Sequence, residues 1–183
     1  MSHALRSAAV HEAGHAVVAL GLGFQIRSIT IVPDEARRIA GLVVFEVPSA
    51  DDGNVVTKSI APEVLARTRQ AEAIIVAAGE VAVRLAGFDA CGLAHDDCED
   101  DRLSKDVWDL VGVPPWRWRH LARAAAERYL GEQWYAVQLL TNELLLAGTL
   151  TGARAKLLAG DLPLPDMRNL SGALDFWSRR DCR

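Results

Sequence analysis

Two histidines four residues apart, His11 and His15, lie in an alanine-rich stretch that also contains Glu12. In an α-helix the side chains at positions i and i+4 share one face, so both imidazoles could bind the same metal ion. Glu12 lies about 100° around the helix from His11, beside such an ion rather than on it. This is the HExxH pattern of zinc hydrolases, in which the histidines are ligands and the glutamate is the general base.

The same stretch also allows a purely structural interpretation, because histidine and glutamate are common in helices. Two unligated imidazoles in a buried helix, however, would need hydrogen-bond partners and would lower the helix propensity relative to alanine. Gly14, inside the same helix, costs about 1 kcal/mol relative to alanine unless another element packs closely against it. We therefore expect a zinc site on a helix that has a close neighbour at Gly14.

A catalytic zinc site needs a third protein ligand. Glu72 and Glu80, on a later predicted helix, are two alternatives. The densest group of oxygen ligands is the segment HDDCEDD, residues 95–101, whose last three acidic residues suit the first turn of a helix. The two acidic residues before them, Asp96 and Asp97, are the candidates that we favour as the third zinc ligand.

The elements that must hold these residues are mostly helices. Two β-type runs, residues 26–32 and 41–47, follow the first helix and predict a strand pair. The sequence thus predicts a mainly α fold (α+β), a zinc-metallopeptidase-like helical domain with a small β-hairpin or sheet after the first helix. We expect one domain over residues 1–165 and a C-terminal tail over residues 166–183. The predicted helices cover about 2–20, 61–85, 116–129, 132–147 and 153–158, with a further helix through 103–110.

Composition excludes several classes of protein. The formal net charge is −4, which leaves no broad cationic surface for a nucleic-acid backbone. Three cysteines without a CxxC pair argue against a disulfide framework. Glu80 and Arg84 interrupt the longest apolar segment, so we expect no membrane span. The motif residues near the N-terminus break any signal-peptide core, and we expect a cytoplasmic protein.

Several segments of the chain resemble the peptidase domain of the FtsH-type proteases, a membrane-anchored AAA+ zinc metalloprotease family. The likeness covers about residues 5–160, with the landmarks in the family's order. HEAGHAVVAL resembles the zinc-binding helix and is the most specific piece. The remaining matches are SITIVPDEARRIAGLVVF to the strands after that helix, IIVAAGEVAVRLAG to the GGRAAEE helix, CGLAHDD to the TGAxxDL segment, and LLLAGTLTG to the terminal LLExETLxG element.

The resemblance implies that an aspartate of the TGAxxDL segment completes the zinc site. Aligning Gly92 with the family's glycine makes that ligand Asp96, whereas taking Cys98 as the apolar residue after the ligand makes it Asp97, so both stay open. Val83 and Arg84 stand where the family has paired glutamates, so support of the metal site by those carboxylates is missing here.

The resemblance implies a zinc-dependent metalloendopeptidase. The chain contains no GxxxxGK[ST] loop, so we expect it to hydrolyse flexible or unfolded polypeptides without its own ATPase. A separate unfoldase and a homo-oligomer are compatible with this interpretation. The strand that follows Gly41 could dock an extended substrate or could be a simple hairpin. The alternatives are a catalytically inactive metal-binding or interaction module on the same fold, and a zinc hydrolase of small amides.

Overall fold

The computed structural model describes residues 2–34, 41–46, 62–88 and 114–165. These ranges form a mainly helical fold with a small antiparallel sheet, as the sequence predicts. The elements, in chain order, are α1 (His3–Gly21), β1 (Gln25–Thr30), β2 (Leu42–Glu46), α2 (Pro62–Leu85), α3 (Pro115–Glu132), α4 (Trp134–Ala147), β3 (Thr149–Thr151) and α5 (Gly152–Ala159).

Helix α1 is the centre of the fold. Ser2 caps its N-terminus, since its hydroxyl accepts a hydrogen bond of 3.3 Å from the Leu5 backbone N–H. The helix is buried over most of its circumference from Ala9 onwards, where it packs against α2, α4 and β1. A helix that is apolar on all sides belongs in a core, and the small alanines of α1 allow its neighbours to approach closely.

The closest approach between α1 and α2 is at Gly14. A Cβ atom on Gly14 would lie 2.6 Å from the Ala82 Cβ and 2.7 Å from the Ala78 carbonyl oxygen. Both distances are far shorter than the roughly 3.5–4.0 Å of an ordinary contact. The predicted close neighbour of Gly14 is therefore confirmed, and it is α2.

The sheet has the strand order β2-β1-β3, with both pairs antiparallel. Ile29, fully buried in the central strand, pairs with Val43 on one side and with Leu150 on the other. The β1–β2 pair was predicted and is confirmed, with an irregularity in its register between Ile26 and Ser28. The sequence does not predict β3, because its three residues are too few to show a periodic pattern.

Two ion pairs join α2 to α3. Glu80 pairs with Arg123 at 2.8 Å, and one turn later Arg84 pairs with Glu127 at 3.1 Å. The sign of the charge is reversed between the two pairs, so sliding the helices by one turn would oppose like charges. These pairs favour the register in which α2 lies against α3.

Tyr129, on α3, forms a hydrogen bond with the backbone of the segment that follows α5. Its hydroxyl donates a hydrogen bond of 2.8 Å to the Pro163 carbonyl oxygen and lies against Gly21, where a Cβ atom would collide with it. Burial, and to a lesser degree the negative charge of Glu132, raises the pKa of Tyr129 to about 12. The phenol therefore stays protonated as a donor over the ordinary pH range.

No helix within the described ranges is long and apolar enough to cross a membrane. The helix predicted through residues 103–110 and the tail predicted over residues 166–183 lie outside the described residues.

Candidate metal centre

The two histidines of the motif face each other, as their spacing predicts. The Nε2 atoms of His11 and His15 are 3.0 Å apart, and the two rings are nearly perpendicular, with an interplanar angle of 88°. His11 is only 6% exposed, whereas His15 is half-buried. The nitrogens therefore converge on a point at the margin of the core rather than deep inside it.

A backbone carbonyl determines which ring nitrogen of His15 carries the proton. Its Nδ1 lies 2.6 Å from the Ile75 carbonyl oxygen on α2. A carbonyl can only accept, so Nδ1 carries the proton, and in the neutral ring Nε2 keeps a lone pair directed at His11. Without an ion, the 3.0 Å contact requires that the His11 Nε2–H donate to that lone pair. A metal ion would take the place of this proton.

These residues fit a zinc ion. Zinc binds imidazole nitrogens at 2.0–2.1 Å in a tetrahedral arrangement, which separates two such ligands by about 3.3 Å. The observed 3.0 Å is close to that value. The Ile75 carbonyl supplies the hydrogen bond that zinc-binding histidines commonly make through their other nitrogen. His11 and His15 would thus hold the ion through Nε2.

The carboxylate of Glu12 lies under the start of β2. Glu12 is 6% exposed, and a Cβ atom on Gly41 would lie 2.5 Å from its Oε1, 2.8 Å from its Cγ and 2.9 Å from its Cδ. In the sequence, Gly41 is recognisable only as the start of a strand. A glycine at a strand end is a known sign of close approach by another group, but the sequence does not say which group approaches.

Gly79 on α2 lies directly against both imidazoles, a contact that the sequence does not predict. A Cβ atom at this position would overlap His15 Nε2 and would lie 2.6 Å from His15 Cε1 and from His11 Cε1. The available signal was a glycine inside a helix, the same signal that identified Gly14.

Asp96 and Asp97, which the sequence predicts as the third ligand, lie outside the described residues. Within the ranges that the structure describes, no group of three or more His, Cys, Asp or Glu side chains is arranged to hold a metal ion. The two alternative ligands are engaged elsewhere. Glu72 pairs with Arg69 at 2.6 Å and Glu80 with Arg123 at 2.8 Å. The choice between Asp96 and Asp97 stays a prediction.

Val83 and Arg84, which the sequence resemblance aligns with a pair of glutamates, make contacts away from the histidines. Val83 is fully buried in the core, and Arg84 extends to Glu127 on α3. Neither residue offers a carboxylate to the histidines. The contact that α2 makes with His15 therefore comes from its backbone at Ile75, and not from these two side chains.

The chain matches no family model and no curated protein.

Proposed function

We propose that this chain is a zinc-dependent metalloendopeptidase similar to the FtsH-type peptidase domain, and that it hydrolyses peptide bonds of flexible or unfolded polypeptides. One observation carries this proposal. The Nε2 atoms of His11 and His15 converge at 3.0 Å, while the buried carboxylate of Glu12 lies on the same helix beneath the start of β2.

In this proposal His11 and His15 are two ligands of the ion, and Asp96 or Asp97 is the third. When bound, zinc lowers the pKa of a water molecule and polarises the carbonyl of the scissile bond. The Ile75 carbonyl keeps the His15 proton on Nδ1, which leaves Nε2 for the ion.

Glu12 is the proposed general base. It is adjacent in sequence to the ligand His11, and it faces a different side of α1, so its carboxylate is a neighbour of the site rather than a ligand. It would accept a proton from the attacking water and return it to the leaving amine. Gly41 leaves room for this carboxylate, because a side chain there would collide with Oε1.

Strand β2 is the proposed docking site for the substrate. Among the described strands it pairs only with β1, so its second edge has no strand partner there. A peptide added to that edge would be extended and would pass the Glu12 carboxylate, since β2 begins beside Gly41. Strand addition requires an extended backbone, which favours a flexible or unfolded polypeptide as the substrate.

The proposal also concerns the partners and the location of the protein. A folded substrate would have to be unfolded before it could add to the edge of β2, so a separate unfoldase is a proposed partner. We place the protein in the cytoplasm, without a nucleic-acid partner because the net charge is −4. A homo-oligomer is compatible with the proposal.

The test measures zinc content and hydrolysis of casein by the purified chain. We expect about one zinc per chain. The Glu12→Gln variant should keep the metal and lose about 10²–10⁴-fold in kcat/KM, because the general base is removed without removing a ligand. The control is Glu132→Gln, an exposed glutamate at the end of α3, which should behave as the wild type.

Three outcomes would contradict the proposal. A wild-type chain that binds zinc but cleaves no unfolded protein would favour the inactive metal-binding module. A chain that binds no zinc, or a Glu12→Gln variant that remains fully active, would remove the proposed mechanism altogether.

A further inference from the structure

Four residues of α2 face α1 along one strip, namely Ile75, Ala78, Gly79 and Ala82. Their spacing of three or four residues puts them on one side of the helix. Ala78 and Ala82 contact the backbone at Gly14, whereas Ile75 and Gly79 lie against the histidines. The strip therefore has one part that packs the two helices together and another that contacts the proposed ligands.

The contact at His15 depends on an unusual feature of α2. In an α-helix the carbonyl of residue i points at the N–H of residue i+4, so the Ile75 carbonyl points at Gly79. The side chain of residue i+4 normally flanks that carbonyl. Gly79 has no side chain, so the imidazole can lie on the helix backbone and bring Nδ1 to 2.6 Å from the Ile75 oxygen.

Steric geometry excludes any larger residue at this position. A Cβ atom on Gly79 would overlap His15 Nε2 and would lie 2.6 Å from the Cε1 atoms of both histidines. The atoms that would collide belong to rings whose Nε2 atoms are only 3.0 Å apart, so moving one ring also disturbs the other. The same added methyl would separate His15 from the Ile75 carbonyl.

We propose that Gly79 is a positioning residue of the zinc site: it exposes the Ile75 carbonyl to His15 and leaves the space in which both imidazoles converge. The inference rests on the proposed zinc site. In many zinc proteins a carboxylate orients the ligand histidine. Here a backbone carbonyl and a glycine would orient it instead. Gly79 touches neither substrate nor the reacting atoms, and it acts only through His15 and His11.

The first measurement uses the wild-type chain without metal and needs no variant at position 79. Nitrogen-15 NMR of the histidine rings reports which nitrogen carries the proton, with the His15 signals assigned by comparison with His15→Gln. We expect the Nδ1–H tautomer for His15, because the Ile75 carbonyl can only accept. An Nε2–H tautomer would overturn the inference.

The second measurement compares zinc affinities in competition with a chromophoric chelator. Gly79→Ala should weaken zinc binding about 10–100-fold, the effect typical of losing the hydrogen-bond partner of a ligand. The matched control is Gly21→Ala, at the C-terminal end of α1. This substitution also adds a methyl group at a crowded position, because a Cβ atom there would collide with the Tyr129 hydroxyl. This control should lower stability and leave zinc affinity unchanged.

The outcomes separate this inference from the proposed function. If Gly79→Ala binds zinc as tightly as the wild type, the positioning role is wrong while the zinc site stands. If the wild type binds no zinc, the proposed function is wrong, and the tautomer of His15 still decides whether the Ile75 contact orients the ring. If Gly79→Ala does not fold, the wild-type tautomer is again the deciding result.

Discussion

The close approach of α1 and α2 at Gly14 can be tested by adding one methyl group. In Gly14→Ala the new Cβ would lie 2.6 Å from the Ala82 Cβ and 2.7 Å from the Ala78 oxygen. These distances are about 1 Å short of an ordinary contact. Neither neighbour is the end of a flexible side chain, so the two helices must move apart.

The expected change in stability follows from two opposing terms. Overpacking of a core costs about 1–3 kcal/mol, and a contact against helix backbone belongs near the upper end of that range. Replacing a helical glycine by alanine returns about 1 kcal/mol. We therefore expect Gly14→Ala to lower the free energy of unfolding by about 1–2 kcal/mol, which is roughly 2–8 °C in Tm for a chain of this length.

Gly131, near the end of α3, is the matched control. It is exposed, and a Cβ atom there would meet no atom within 4 Å. Gly131→Ala should therefore gain up to about 1 kcal/mol from helix propensity alone. The two substitutions are chemically identical, so the difference between them isolates the packing of α1 against α2.

The assay is urea unfolding of the metal-free chains, followed by far-UV circular dichroism. Metal is removed because a ligand that binds only the folded state would add its own stabilisation. The slope of the free energy against urea must stay the same for the comparison to hold. If Gly14→Ala is as stable as Gly131→Ala, α1 and α2 do not approach each other closely at Gly14. The position of α2 beneath the histidines would then be wrong as well.

Two further predictions concern side chains outside the motif. Tyr129→Phe should lose about 0.5–1.5 kcal/mol through the hydrogen bond to Pro163. The raised pKa of Tyr129 contributes stability below pH 10.0 that is lost as pH rises towards about 12. Over that pH range the free energy of unfolding, measured in urea, should therefore fall more for the wild type than for the variant. Arg84→Glu, which opposes Glu127 with a like charge, should cost up to about 1 kcal/mol, since the residues of the native pair are about half exposed. Adding Glu127→Arg should restore the lost stability, and zinc affinity should be unchanged; a rise in affinity would mean that a glutamate at position 84 does reach the histidines.

The contacts around the motif show how the fold accommodates its side chains. Two imidazoles at the margin of a core need hydrogen-bond partners, and His15 finds one in a backbone carbonyl. The carboxylate of Glu12, which is 6% exposed, occupies the space left by the missing side chain of Gly41. Glycines on two different elements thus accommodate two side chains of one motif.

Local rules were enough to predict most of the helices and the face shared by the histidines. Helix periodicity alone puts His11 and His15 on one side of α1. Ser2 and Pro62 mark the beginnings of α1 and α2 within one residue of the predicted positions, because caps and first-turn prolines act within a few residues. These signals need no knowledge of the rest of the chain.

Only the tertiary structure decided which backbone surrounds the motif. Ile75 contacts a histidine 60 residues earlier in the chain, and Thr30 bonds to Thr149, which lies 119 residues away. Such contacts depend on how whole elements pack, and one sequence contains no local pattern that specifies them. A glycine inside a helix indicates that something approaches closely. Only the packing of α1 on α2 shows which group approaches: Ala82 in the case of Gly14, and a pair of imidazoles in the case of Gly79.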